Sequence, residues 1–326
     1  SGGKATNKLI DNLFYKYFNN ELLSQKNDST VLPPLNGRIA MSTDSFVINP
    51  IFFEGGDIGK LSICGTVNDI CMSGAKPLYI SVGFIIEEGL TINELEKIVQ
   101  SMAKTANEAG VKIVTGDTKV VEKGSCDKIY INTTGIGIIE ENNRYLSGDK
   151  VRAGDKVIVS GTLGDHGMCI MNKREDFGFK STIKSDCCLL NELISDILSV
   201  STNIRVLRDP TRGGLATTLN EIIEHSNVSI EIKEENIPVK QEVAAMCDIL
   251  GLDPLFIANE GKLVVIVDKN DADNVLSIMK KNPVGENSVL LGEVINDGKN
   301  KLYLKTNIGG KRIINMPEGE ILVRIC

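Results

Sequence analysis

No apolar run in this chain of 326 residues approaches the roughly 20 residues that a bilayer-spanning helix requires, and no signal peptide opens it. A membrane anchor is not expected, and the chain reads as cytoplasmic. Soft metal ligands are equally scarce. Histidine occurs only at His166 and His225, and the eight cysteines contain no C-x-x-C pair, which argues against the usual zinc ligand sets. Cys187 and Cys188 are adjacent, while Cys64, Cys71, Cys169 and Cys247 lie among apolar neighbours; reduced thiols serving as small core residues fit better than a disulfide framework. Basic residues are also in deficit. With 36 Lys and Arg against 43 Asp and Glu, the net charge is -7, and nucleic acid is not an expected partner.

What is present is an ordinary globular composition, 42% apolar and 24% charged, over a length better suited to two domains than to one core. The first residues, Ser1-Gly2-Gly3, lack an initiator methionine, which suggests a truncated or processed amino end. Leu9, Ile10, Leu13, Phe14, Tyr17 and Phe18 recur at helical spacing and predict a helix over 7–23. Residues 24–37, with Pro33-Pro34 and Asn36-Gly37, read as a linker.

From residue 38 the two hydrophobic periods alternate. Strands are predicted at 38–48, 77–86, 111–115 and 128–139, and a helix at 57–73. A second helix starts from a capping box at Thr91 and Glu94, presents Leu95, Ile98, Val99, Met102 and Ala106 on one face, and stops at Gly110. The polar stretch 140–154 marks a domain boundary. Beyond it, strands are predicted at 155–160, 228–233, 262–268, 288–295 and 301–306, with helices at 187–200, 214–226, 238–250 and 270–282. The fold class is therefore α/β (α+β): a helix and linker at 1–37, two mixed α/β domains at 38–153 and 154–320, and a tail at 321–326.

Several aspartates stand where carboxylates are costly unless capped, paired or bound to a cation. Asp44 lies within a strand, Asp69 interrupts an apolar helix face, and Asp117 ends the predicted 111–115 strand. Each alone reads first as an Asp cap or a local ion pair; together they suggest Mg²⁺, which takes one or two carboxylates alongside phosphate oxygens and water. Gly55-Gly56-Asp57-Ile58-Gly59-Lys60 offers backbone N–H groups and a lysine at a helix start, although it is neither a P-loop nor a Rossmann fingerprint. Arg208-Asp209-Pro210-Thr211-Arg212-Gly213-Gly214 opens another helix between two arginines, and reads either as an anion site or as an ordinary capped turn. The chain stops on Cys326, which reads either as a frayed terminus that happens to end in cysteine or as a thiol on a mobile end, able to be carried between partners in a way that no buried cysteine can.

These segments occur in a telling order: Thr43-Asp44-Ser45-Phe46, the Gly55–Lys60 run, Cys64-Gly65-Thr66-Val67-Asn68-Asp69, Thr115-Gly116-Asp117-Thr118-Lys119, Gly164-Asp165-His166-Gly167, the Arg208–Gly214 run, Asn259-Glu260-Gly261 and terminal Arg324-Ile325-Cys326. Across essentially the whole chain they resemble the HypE family of nickel–iron hydrogenase maturation proteins, in the superfamily of aminoimidazole ribonucleotide synthetase and selenophosphate synthetase. Val323 departs from the proline usual there. The resemblance implies two domains of the synthetase type, with amino-terminal domains pairing in a homodimer. It also implies that a HypF-type carbamoyltransferase loads Cys326, that ATP with Mg²⁺ dehydrates the S-carboxamide to a thiocyanate, and that a HypC/HypD-type complex carries the iron that receives the cyanide. By the same resemblance Cys326, Glu260 and Lys119 are catalytic, Glu260 as base. Lys60, Thr66, Asp69, Thr115, Gly116, Asp117, Arg208 and Asp209 hold nucleotide, and Asp44, Asp69, Asp117 and Asp209 hold metal. Two other readings remain open: an ATP-dependent relative acting on a free small molecule, and a nucleotide-binding scaffold without turnover. His166 reads as a turn histidine.

Overall fold

The computed structural model describes residues 9–25, 27–140, 145–175, 182–224, 226–319, 322 and 324–326. They form two compact units, one drawn from Ser1–Cys71, Ala75–Glu141 and Cys326, the other from Met72–Gly74 and Asn142–Ile325. Among these residues no helix is long and apolar enough to cross a membrane, and none of the eight cysteines forms a disulfide.

In the first unit a four-stranded sheet has the order β1-β6-β4-β5, with β1 at Arg38–Phe46, β4 at Lys76–Glu87, β5 at Lys112–Val121 and β6 at Ile129–Ile139. A two-stranded hairpin, β2 (Phe52–Phe53) with β3 (Gly56–Asp57), leads into helix α1 at Ile58–Met72. Strand β6 runs antiparallel to both neighbours, whereas β4 and β5 are parallel. A parallel pair needs a crossover, and α2, Ile92–Ala109, supplies it. That helix starts and stops where the sequence predicts: Thr91 and Glu94 exchange capping hydrogen bonds, and Gly110 closes the end at φ 70°. The buried side of the sheet alternates strictly along β6, where Ile129, Ile131, Thr133 and Ile139 are all buried. The other side keeps Ile39, Met41 and Ile85 at 63%, 69% and 44% exposure. Of the predicted amino-terminal helix, the described part is a π-type turn at Ile10–Tyr15 continued by Lys16–Phe18; residues 1–8, including Ser1-Gly2-Gly3, lie outside the described set.

The second unit holds a seven-stranded sheet of order β13-β12-β9-β11-β7-β10-β8. The strands are β7 (Lys156–Val159), β8 (Ile204–Arg208), β9 (Ser229–Lys233), β10 (Val264–Val267), β11 (Val289–Ile295), β12 (Leu302–Lys305) and β13 (Lys311–Ile314). Five helices accompany it: α3 (Asp165–Glu175), α4 (Asn191–Val200), α5 (Gly214–Glu224), α6 (Gln241–Leu250) and α7 (Ala272–Lys281). The core gathers Val157, Val159, Leu215, Leu219, Val264 and Ile266 among others, all fully buried. Strands β8 and β13 and helix α3 were not expected, and β5 continues through Asp117 to Val121 rather than ending before it.

Candidate functional site

In the first unit, Asp57 caps α1 by accepting from the backbone N–H groups of Gly59 at 2.7 Å and Lys60 at 3.2 Å. Lys60 Nζ then donates to the Gly55 carbonyl at 2.9 Å, closing the glycine loop on itself. One turn further along α1, Gly65 leaves space that a side chain would fill: an added Cβ would lie 2.8 Å from Phe46 Cζ and 3.9 Å from Asp44 Oδ2. Asp69, four residues on and so on the same helix face, accepts a hydrogen bond from Ser42 Oγ at 2.8 Å. Ser42, Asp44 and Phe46 share one face of β1 by the pleat. Asp44 and Asp69 therefore occupy one seam between strand and helix.

Two carboxylates on adjacent elements are the donor chemistry that Mg²⁺ takes when phosphate oxygens and water complete its shell, so this seam fits the ion. Among the described residues no group of three or more His, Cys, Asp or Glu side chains is arranged to hold a metal unaided. Asp117 does not join the pair within one chain. Asp44 is opposite Thr133 on β6, Thr133 opposite Val82 on β4, and Val82 opposite Gly116 on β5, which sets Asp117 three strand spacings away, about 14 Å. Its ladder partner Gly83 alternates with the buried Val82 and Phe84, so Asp117 also belongs to the opposite face.

Asp117 instead lines a cavity of ≈ 350 Å³ along β5, together with Thr115, Gly116 and Lys119, facing Phe14 and Phe18 of the amino-terminal segment. An apolar wall beside a few convergent polar groups is the usual make-up of a small-molecule site. Lys119 Nζ stands 3.3 Å from an Asp117 carboxylate oxygen, both side chains largely exposed. Thr66, expected at the nucleotide, lies on α1. It is fully buried and its hydroxyl bonds that of Thr133, which itself donates to the Ser62 carbonyl; the pair fastens α1 to β6. A second cavity of ≈ 480 Å³, around Pro50, Glu87, Cys126 and Lys128, contains none of the predicted residues.

The second unit converges on Asn259. Its backbone N–H and its Nδ2 both donate to the Pro210 carbonyl at 3.1 Å, and its Oδ1 accepts from Gly164 N–H at 2.8 Å. Three separate motifs thus meet at one fully buried amide. Arg208 ends β8 and pairs with Glu221, while Asp209 follows it; the Thr218 hydroxyl reaches the Asp209 carbonyl at 3.5 Å. Glu260 is buried, and its backbone N–H donates to Asp186 Oδ1 at 3.1 Å. Asp186 also accepts from Gly261 N–H at 3.3 Å and pairs with buried Lys262 at 3.0 Å. Burial alone would push the Asp186 carboxyl up and the Lys262 ammonium down, but each partner's charge overrides it, so Asp186 sits below and Lys262 above its ordinary value.

Asp186 and Lys262 were not singled out from the sequence. The one available signal was a lysine at the head of the apolar run Leu263-Val264-Val265-Ile266-Val267. His166 was read as a turn residue, yet it is fully buried in the first turn of α3 and bonds Ser185 Oγ at 2.7 Å and the Ile325 carbonyl. The tail is settled where described. Ile325 is 5% exposed, and in the first unit the Cys326 carbonyl accepts from Val47 N–H at 3.0 Å, three residues beyond Asp44.

Comparison with known proteins agrees with this organisation. Residues 26–139 match the family model of the AIR synthase related protein, N-terminal domain, and residues 152–305 that of its C-terminal domain. The carbamoyl dehydratase HypE of Cupriavidus necator is 49% identical over all of this chain and 93% of its own length, and that of Escherichia coli K12 is 45% identical over all of this chain and 97% of its own. A crystal structure of the hydrogenase maturation protein HypE in complex with ATP superposes with TM-score 0.95 at 47% identity, covering 100% of this chain and 98% of that one. A HypE–HypF complex superposes at TM-score 0.83 and 48% identity, covering 95% and 99%. Thiamine monophosphate kinase from Aquifex aeolicus, at 18% identity and TM-score 0.64, shares the fold.

Proposed function

The chain belongs to the HypE family of hydrogenase maturation carbamoyl dehydratases, and from that premise we propose that it uses ATP to convert an S-carboxamide on Cys326 into a thiocyanate. The overall conversion balances as R–S–C(O)NH₂ + ATP → R–S–C≡N + ADP + phosphate: the amide oxygen leaves on the phosphate and both amide protons are lost. An amide oxygen is a poor leaving group, and phosphorylation makes it a good one. The observation that carries the reading is the place of Cys326, whose carbonyl is fastened to Val47 beside the Asp44–Asp69 seam of the first unit.

When bound there, Mg²⁺ would neutralise phosphate charge. Asp44 and Asp69 supply its carboxylates, and the cavity lined by Thr115, Gly116, Asp117 and Lys119 supports the nucleotide-binding reading of that edge. Lys60 adds a cation at the start of α1. Arg208 and Asp209, at the head of the turn that opens α5, keep their proposed roles toward nucleotide and metal. Lys119 stabilises charge on the reacting group, and Glu260, held by the Asp186 cradle, takes an amide proton. The HypF-type carbamoyltransferase is the proposed donor of the carbamoyl group, and a HypC/HypD-type complex the recipient of the cyanide. The exposed apolar face of the first unit's sheet supports a homodimer. Eight cysteines outside any disulfide support a cytoplasmic setting.

The test is the mass of the carboxy-terminal peptide after incubation with carbamoyl phosphate, Mg·ATP and the carbamoyltransferase. A carbamoyl adduct that loses one water only with ATP is expected, and Cys326→Ala should carry neither modification. Glu260→Gln should still accept carbamoyl while losing water about 10²-fold more slowly or worse, the scale of a missing general base. An unmodified tail with an active partner would overturn the reading.

A further inference from the structure

The tail is held through its main chain by one helix of the second unit. Gly167, in the first turn of α3, leaves room for the tail: an added Cβ would come 3.2 Å from Leu322 Cδ1 and 2.5 Å from Ile257 Cγ2. Arg174, in the last turn of the same helix, donates to the Arg324 carbonyl in a solvent-exposed hydrogen bond. His166 bonds the Ile325 carbonyl. A carbonyl only accepts, so Nε2 of His166 carries the ring proton and Nδ1 accepts from the Ser185 hydroxyl. Ser185 is fixed in turn by accepting from Cys187 N–H at 3.1 Å. The tautomer is therefore set from behind by Ser185. Just before the first of the two carbonyls, Arg324 takes φ 52°, in the left-handed region that a residue with a side chain rarely adopts. Strain of this kind persists only where surrounding contacts impose it.

We propose that α3 is the dock of the acceptor tail, with His166 and Arg174 as positioning residues that hold the docked state through the Ile325 and Arg324 carbonyls and thereby set how often Cys326 is released. Both anchors grip main-chain atoms, so the dock reads the conformation of the tail backbone. The proposal deepens the reading of Cys326 as the acceptor and rests on it, but its first test does not need that reading.

The test is the rate at which iodoacetamide alkylates Cys326 in the full chain, followed by peptide mass and normalised to the partly buried Cys188 of the same molecule. No partner or nucleotide is present. Arg174→Ala and His166→Ala should each raise the Cys326 rate by between about two- and tenfold, the range expected for loss of one hydrogen bond that closes the docked state. His166→Gln, which can still present an N–H toward the carbonyl, should return most of the way to the parent rate. In the coupled reaction, the release variants should accept carbamoyl at least as fast as the parent and lose water more slowly. A merely structural His166 would depress both steps together. If His166→Ala does not fold, Arg174→Ala decides, because its bond lies at the surface. Unchanged alkylation in folded Arg174→Ala, or equal slowing of both steps in the variants, would overturn the dock. A faster Cys326 with no carbamoylation even in the parent would leave the dock standing and overturn the acceptor reading instead.

Discussion

Burial decides the charge of His166. Complete removal from water disfavours the imidazolium more than the nearby Asp186 carboxylate and the Ile325 carbonyl favour it, so the folded protein holds the ring neutral. The unfolded chain takes up that proton below about pH 6.5, the ordinary histidine value, and stability should therefore fall as pH is lowered through it, with a limiting slope of about 1.4 kcal/mol per pH unit. Urea unfolding between pH 7 and 5 checks this, and His166→Gln should remove that part of the slope. Asp186 acts in the opposite range. Its lowered carboxyl contributes stability that is complete above the unfolded value near 3.9 and is lost only as pH falls through the folded one. At this scale the sequence was informative about carboxylates and silent about their partners. Asp44 and Asp69 are visible because a charge among apolar residues demands an explanation. Asp186 lies in an undistinguished Ser185-Asp186-Cys187 stretch, and only the approach of Lys262, 76 positions later, makes it part of a buried pair.

At the scale of elements, the turn that opens α5 shows how closely the backbone is specified. Gly214 has φ 61°, and an added Cβ would lie 2.6 Å from the Leu255 carbonyl oxygen and 2.7 Å from that of Ile257. Gly214→Ala should therefore destabilise the second unit by about 1–3 kcal/mol, as forced overpacking against fixed backbone does, and lower the thermal midpoint in a melting experiment. A melting point within error of the parent would show that this turn yields. Elements with strong local signals were legible in the sequence. Helix α2 has both its capping box and its closing glycine, and its boundaries follow from them. Strand β5 was cut short because Gly116 and Asp117 are poor strand formers, but pairing with β4 from Tyr79 to Glu87 outweighs that preference. Helix α3 was missed because its sequence is glycine-containing, polar at both ends and only weakly periodic. Its place comes from Asn259 and from the tail packed on it.

At the scale of the molecule, the first unit's sheet leaves Ile39, Met41 and Ile85 open on one side, three apolar residues whose register places them on a common face. A charge there should oppose pairing. Met41→Glu should shift the protein from dimer toward monomer in size exclusion with light scattering, with the melting point of the monomer little changed, because the side chain makes no core contact. A parent chain that is already monomeric would sink the dimer. The sequence by itself determined the two-unit α/β organisation, the helix with an explicit capping box and the family, because periodicity, capping chemistry and ordered motifs are local properties of the chain. Only the tertiary structure decided that Asp44 and Asp69 share a seam while Asp117 stands about 14 Å off on the other face, since strand order and pleat fix those distances. It also decided that Thr66 bonds Thr133 across α1 and β6 and that His166 is a tail contact. Both follow from contacts between residues 67 and 159 positions apart, a separation over which no local pattern carries information.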